Sequence, residues 1–230
     1  HVVAENLVIR GQASYLLDED NVLPSPQDGV LIAKHDAQLR IDPGTVVKLD
    51  GSLIEVGFSA QLIAEGVDGK EVIFTSLFDD TFGGSGTFDT NSDGPLASTP
   101  TPGDWGGIYL NFTSNASIDH ARIAYAGGIV PVEGSFAGFN AIEVHAADLR
   151  LTNSVLENNA GGTGGQAPST RFGRTTNGPG AIFLRDTQPI LVNNVIQNTL
   201  ALPGQPQAGA ISIDVNSLNR DRVIDIGRQT

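Results

Sequence analysis

The sequence predicts an all-β parallel β-solenoid, because short strand-like segments recur along it with matching turns. Three segments align with one another, at residues 118–127, 151–160 and 191–200. Apolar and polar residues alternate within them, as in strands that bury one face. No stretch has the helical period of about 3.6 residues, which argues against a fold of alternating strands and helices. A two-sheet sandwich is the alternative, and the near-identical turn-and-strand phrases favour the solenoid.

The three aligned segments share four columns of similar residues. The first two columns are apolar, the third holds small or amide residues, and the fourth holds one Tyr and two Asn. They are Ile118/Leu151/Leu191, Ile123/Leu156/Ile196, Ala121/Ser154/Asn194 and Tyr125/Asn158/Asn198. Amides in matched columns can form side-chain ladders that satisfy the turns between coils. Each coil of such a stack buries its apolar face only against its neighbours.

A second repeated phrase consists of a small residue followed by an apolar, a variable and an apolar residue. It occurs at 107–110, 141–144, 181–184 and 210–213. Gly-rich insertions at 127–138, 161–180 and 202–209 account for its irregular spacing. The apolar members of both phrases are expected to form one continuous core: Ile142, Val144, Leu156, Ile182, Leu184 and Ile196.

The N-terminal half contains looser matches to the same pattern. Strands are predicted at 30–32, 38–41, 45–49, 52–56, 61–64 and 71–75, with turns at 42–44 and 68–69. Segments at 2–3, 7–9 and 223–227 also have the composition of strands. We therefore expect one β-helix domain over 1–230, with an Asp-, Gly- and Pro-rich loop inserted at 79–104.

Composition limits the classes of partner. The 230 residues carry 13 basic and 26 acidic side chains, so the formal charge is 13 − 26 = −13, which disfavours nucleic acid. No apolar run approaches the ~20 residues of a membrane span. Without an initiator Met, the chain is expected to be processed or to be a piece of a longer protein. Both terminal coils are expected to contact other protein, either more of the chain or further copies.

Five phrases in order along the chain resemble the right-handed parallel β-helix proteins of the pectin-lyase-like class. They are IDPGTVVKLDGS at 41–52, LIAEG at 62–66, VIFTS at 72–76, DTNSDG at 89–94 and PGDWGGI at 102–108. The chain is most similar to non-catalytic repeats in large secreted or surface-attached bacterial proteins. That resemblance implies an extracellular or cell-surface location, frequent calcium, and polysaccharides as ligands. It does not imply catalysis, since a fold alone does not determine an activity.

The loop at 89–94 is a candidate calcium site. Asp89, Asn91 and Asp93 alternate along it and Gly94 permits a tight turn, so three oxygen side chains can converge. Asp79, Asp80 and Asp104 are candidates to complete the coordination. An EF-hand is disfavoured, because Pro100 occupies the position of its final Glu. The alternative is a solvated loop rich in Asx turns that holds no ion.

Stacking of the four small-apolar phrases would align two rows of side chains on one outer face. The rows are Tyr109, Glu143, Phe183 and Ser212, and then Asn111, His145, Arg185 and Asp214. Glu143 and His145 could act as acid and base, with Arg185 binding a sugar carboxylate. The simpler interpretation, which we favour, is that outward positions are polar because water is there. The resemblance adds no support for a hydrolase, because this face lacks the close Asp pair of the polygalacturonases.

Two functions from different classes follow. The first is an extracellular, calcium-stabilised scaffold or adhesive module of a surface, matrix or filament-forming protein, with polysaccharide as a candidate ligand. The second is a polysaccharide lyase or hydrolase that acts on an acidic glycan. Trp105, the only Trp, is either a sugar-stacking platform or, as we favour, a packing residue of the inserted loop.

Overall fold

A computed structural model describes residues 37–57, 59–82, 89, 91, 93–94, 97–132, 135–162 and 177–214, and the backbone of strands at Val2–Val3 and Leu7–Ile9. The strands predicted at 30–32 and 223–227 lie outside the described residues. Within these ranges the structure is all-β, and it contains no helix long and apolar enough to cross a membrane.

Three parallel sheets, which we name A, B and C, contain most of the strands. Sheet A consists of β1 (Val2–Val3), β4 (Val46–Leu49), β7 (Val72–Ser76), β10 (Ala121–Ala124), β15 (Val155–Glu157) and β18 (Val195–Gln197). Sheet B consists of β2 (Leu7–Ile9), β5 (Leu53–Val56), β8 (Gly107–Leu110), β13 (Ile142–His145), β16 (Gly180–Arg185) and β19 (Gly209–Ile213). Sheet C consists of β3 (Gln38–Ile41), β6 (Gln61–Glu65), β9 (Asn115–Asp119), β14 (Asp148–Thr152) and β17 (Ile190–Val192).

Successive strands enter sheets A, B and C in rotation, interrupted only by an antiparallel hairpin of β11 (Ile129–Val132) and β12 (Ser135–Gly138) among the described strands. Such rotation fits a parallel β-solenoid, in which each coil adds one strand to every sheet. The strands predicted between residues 38 and 75 are present within one residue of their expected bounds.

The strand register confirms the alignment of the repeats. Leu151 pairs with Ile118 on one side and with Leu191 on the other. Leu156 likewise pairs with Ile123 and Ile196. Each sequence repeat is therefore one coil, and equivalent apolar side chains stack along the solenoid.

The stacked apolar side chains form the predicted core. Ile142, Val144, Leu156 and Ile182 are fully buried, and Leu184 is 5% exposed. Ile196 packs against the same cluster but is only partly buried, because it lies in the last described coil. A buried aliphatic side chain of this size contributes roughly 1.5–3 kcal/mol through removal from water, so the column is a principal source of stability.

The corners between sheets depend on residues in the left-handed conformation. They form three columns with φ between 44° and 61°: Thr113/Ala146/Asp186, His120/Asn153/Asn193 and Tyr125/Asn158/Asn198. Asn tolerates this conformation better than most residues. Asn198 donates to Asn158 Oδ1, and Asn193 donates to Asn153 Oδ1, each at 3.2 Å. The amide ladders expected from the sequence are therefore present.

Candidate functional site

Three carboxylates meet in the connection from β7 to β8. Asp80, Asp89 and Asp93 each offer an oxygen within 4.8 Å of the others. Asp80 is buried, while Asp89 is half-buried and Asp93 is exposed. This spacing permits one hard cation to contact all three side chains.

Hydrogen bonds within the loop curl it around its carboxylates. Asp89 accepts from the backbone amides of Asp93 at 3.2 Å and Gly94 at 2.9 Å. The Asn91 amide nitrogen donates to Asp93 at 3.0 Å and to Ser98 at 2.8 Å. The Asn91 amide oxygen is buried and accepts no hydrogen bond. That oxygen is the group that the sequence analysis assigns to a metal ion.

Asp79 and Asp104 have other roles in the structure. Asp79 is fully buried and accepts hydrogen bonds from Thr75 Oγ1 at 2.5 Å and from the Thr81 amide at 3.0 Å. Asp104 accepts from Ser76 Oγ at 2.5 Å and from the Thr101 amide at 2.9 Å. Neither belongs to the group of three close carboxylates. The six candidate ligands are therefore not all brought together.

A buried lysine beside this loop was not foreseen from the sequence. Lys48 lies in β4 and is 1% exposed. Burial lowers the pKa of the Lys48 ammonium, and the carboxylates of Asp80, Asp79 and Asp89 offset part of that effect. With Asp93 included, the local formal charge is 1 − 4 = −3. The sequence signal for this burial was the position of Lys48 within the apolar phrase VVKL. An outward position in a strand is not always exposed to solvent.

The outer rows of sheet B have the predicted register. Glu143 lies beside Tyr109 and Phe183, and His145 lies beside Arg185. His145 Nε2 is 2.7 Å from Glu143 Oε1, and the Asn177 amide donates to Glu143 Oε2 at 3.1 Å. Arg185 forms an ion pair with Asp214, in the same predicted row, at 3.4 Å.

The expectation that this outer face is open to water is wrong for most of both rows. Glu143 and Tyr109 are completely buried, and His145 is 6% exposed. The hairpin of β11 and β12 covers Tyr109, because Val130 and Ala137 pack with it in one buried cluster. Glu143 accepts hydrogen bonds from the Asn140 and Asn177 nitrogens, and the His145 ring contacts the rings of Tyr109 and Phe183. The Gly-rich insertion that was interpreted only as a spacer therefore folds back over sheet B.

The Gly-Asp-Trp-Gly-Gly turn at 103–107 packs closely against the backbone of the next coil. Trp105 is fully buried and donates from Nε1 to the Ala124 carbonyl at 2.8 Å, so it packs the turn and offers no platform to a sugar. A Cβ at Gly107 would lie 2.2 Å from the Asn140 carbonyl oxygen, and φ there is +125°. Only glycine fits this approach of two backbones.

The outer face of sheet C carries a polar network that the sequence analysis did not single out. Arg150 donates to Ser117 Oγ at 3.1 Å and to Glu65 and Asp119 at 3.4 Å each. Burial raises the pKa of Asp119, but hydrogen bonds from Asn153 and Thr152 and the charges of His120 and Arg150 outweigh it and bring the value to about 2. The alternation of polar residues in 115–119 and 148–152 was the available signal.

No protein-family model matches the chain, and no curated protein or solved structure is similar to it at a significant level.

Proposed function

We propose that this chain is a calcium-stabilised segment of a right-handed parallel β-helix of the pectin-lyase-like class. It serves as a scaffold or adhesive module in an extracellular or cell-surface protein. The observation that carries the proposal is the convergence of Asp80, Asp89 and Asp93 within 4.8 Å. The stacked parallel sheets support the scaffold role, because a solenoid presents long, regular surfaces.

Calcium would tie the inserted loop to the solenoid body. Asp80 follows the end of β7, whereas Asp89 and Asp93 lie further along the connection. One cation between them would join the loop to a strand end and reduce the local charge from −3 to −1. Asn91 offers an amide oxygen as a fourth side-chain ligand, with the usual six to eight oxygens completed by backbone and water.

Lys48 limits the negative charge that this site offers to a cation. Its ammonium already neutralises part of the carboxylate charge, and it stays fixed because it is buried. The remaining negative charge still favours a divalent cation over a monovalent one. Calcium rather than magnesium is expected, because carboxylates from a strand end and an irregular connection do not impose the strict octahedral geometry that magnesium requires.

Isothermal titration with calcium chloride, after dialysis against chelator, tests the site. The wild type should bind one ion, and Asp89→Asn should weaken binding at least about tenfold. Asp42→Asn is the matched control, since the Asp42 side chain is 83% exposed and lies far along the chain from this loop. Absence of binding to the wild type, or equal binding by both variants, would refute the calcium site.

The contact of Glu143 with His145 favours an enzyme as the second candidate function. A carboxylate and an imidazole 2.7 Å apart have the arrangement of an acid-base pair. Their burial favours the scaffold, because a polysaccharide would have to displace the residues that enclose them, such as Asn177, to reach them. Incubation with uronic acid polymers and calcium discriminates the two: the enzyme would release unsaturated products that absorb ultraviolet light, and the scaffold would release none.

We further propose that other protein covers the last described coil. Ile211 is 42% exposed and Ile213 is 49% exposed, although their partners Ile182 and Leu184 in the preceding strand are buried. More of the chain, or a second copy stacked end to end, would bury them. Light scattering across a range of concentrations tests stacking, and a constant monomer mass would exclude it.

A further inference from the structure

We propose that the outer face of sheet C binds a neutral oligosaccharide. The site is a depression across β9, β14 and the start of β17, and its polar lining residues are Asn115, Ser117, Asp148, Arg150 and Gln188. This inference rests on the proposed surface or matrix role, and it gives that role a site and a ligand class.

The size and shape of the depression suit a short glycan. Its volume is about 480 Å³, within the roughly 300–1,000 Å³ typical of small-ligand sites. Strand pairing aligns Asp148 with Asn115 and Arg150 with Ser117, so polar groups form rows across the strands. Within each row, the side chains on neighbouring strands repeat at the strand spacing of ~4.8 Å. An extended chain of similar units can therefore make similar contacts on successive strands.

The lining chemistry matches sugar hydroxyls, which both donate and accept hydrogen bonds. The Arg150 guanidinium has five N–H donors, and it makes three hydrogen bonds to the protein, so 5 − 3 = 2 donors remain for a ligand. Gln188 contributes an exposed amide, and Asn115 contributes a half-buried one. Ile190 is 56% exposed at the edge of the depression and offers an apolar surface to the C–H groups of a sugar ring.

Arg150 is held in position before any ligand arrives. Ser117 and Asp119 accept its hydrogen bonds, and Asp119 is itself fixed by Thr152 Oγ1 at 2.8 Å and the Asn153 amide at 2.9 Å. A guanidinium fixed in this way loses little further freedom when it binds a hydroxyl pair.

The charge of the face selects a neutral ligand over an acidic one. The outward residues of β3, β6, β9, β14 and β17 include the carboxylates of Glu65, Asp119 and Asp148 and the guanidinium groups of Arg40 and Arg150, which sum to 2 − 3 = −1. The whole chain adds to this with its formal charge of −13. A uronic acid polymer would be repelled, whereas a neutral glycan would not.

Titration by NMR with defined oligosaccharides tests the inference. The probes are cellohexaose, mannohexaose, xylohexaose and laminarihexaose, with hexagalacturonate as the acidic comparison. We expect at least one neutral probe to bind and to shift the backbone amides of residues 115–117 and 148–150. Arg150→Ala should weaken that binding at least about tenfold. Arg122→Ala is the matched control, because Arg122 also lies between two carboxylates but on sheet A. This variant should bind the oligosaccharide as tightly as the wild type does.

Gln188→Ala provides a second variant that leaves the ion pairs of sheet C intact, because Gln188 is exposed. It should weaken binding without changing the melting temperature. The inference is overturned if no neutral probe binds, if hexagalacturonate binds more tightly, or if both variants bind as the wild type does. None of these outcomes affects calcium binding at Asp80, Asp89 and Asp93, so the two proposals fail separately.

Discussion

The strands of sheets B and C have the same alternation of inward and outward side chains. The outer face of sheet B is nevertheless covered, whereas that of sheet C is open. On sheet B the outward Glu143 is fully buried, whereas on sheet C the outward Glu65 side chain is 43% exposed. On sheet B the insertion between β10 and β13 folds into the hairpin of β11 and β12, which covers Tyr109, and Asn177 packs on Glu143. An outward position in a solenoid is therefore exposed only where no insertion covers it.

The largest expected effect comes from the interior that both faces share. Ile142→Ala should lower the free energy of unfolding by ~2–5 kcal/mol, because the surrounding coils cannot close the cavity. Val192→Ala, at an exposed outward position of sheet C, is the control and should change it by less than about 0.5 kcal/mol. Urea unfolding measures both. A similar, small effect of the two substitutions would contradict the stacking of Ile142 in the core.

The covered face is compared with the open face by removing one carboxylate from each. Glu143→Ala removes the carboxylate that contacts the buried His145 ring and one of the two acceptors of the Asn177 amide, and should cost ~2–4 kcal/mol. Glu65→Ala removes a solvent-exposed partner of Arg150, and should cost ~0–1 kcal/mol. Urea unfolding of the two variants gives the difference directly. Equal losses would mean that water reaches Glu143 as readily as it reaches Glu65.

The start of β8 is sensitive at Gly107, where its backbone meets Asn140, the second residue after the hairpin. Gly107→Ala places a Cβ against the Asn140 carbonyl at a positive φ, so we expect a loss of ~1–3 kcal/mol and a looser hairpin. Hydrogen exchange at the amide of Phe139, which donates to Gly128 O at 3.0 Å, should quicken in the variant. Exchange at Ile118, in β9 of sheet C, should change little. Uniform quickening of both would indicate global destabilisation instead.

The smallest effect concerns acid stability on the open face. Asp119 has a pKa of about 2, below its usual 3.8, so its contribution is complete above pH 3.8 and is lost as the pH falls through about 2. Asp119→Asn should therefore be less stable than the wild type by about 1 kcal/mol at pH 7, after allowance for solvent screening. The difference should shrink toward zero by about pH 2. A difference independent of pH would show that the Asp119 charge contributes nothing.

The sequence was sufficient to predict the coils, because their apolar and amide columns repeat and each repeat obeys local rules. Ile118, Leu151 and Leu191 align by eye and also pair in the structure. The hairpin was not predictable in this way, since it occurs once and its antiparallel pairing lies within a Gly-rich segment. Asp80 was predicted as a ligand because it lies in the same inserted loop as Asp89. Lys48 lies in β4, far from that loop along the chain, so its approach to Asp89 depends on the fold and not on spacing.

Thermal melting with and without calcium tests the central claim, that the β7–β8 connection is fixed to the solenoid by a calcium ion. A ligand at a hundredfold excess over its dissociation constant stabilises the folded state by ~2.7 kcal/mol, which should raise the melting temperature of a chain of this size by roughly 5–10 °C. The rise should disappear in chelator and in Asp93→Asn, and should persist in Asp42→Asn. Identical melting curves for the wild type in calcium and in chelator would contradict the claim.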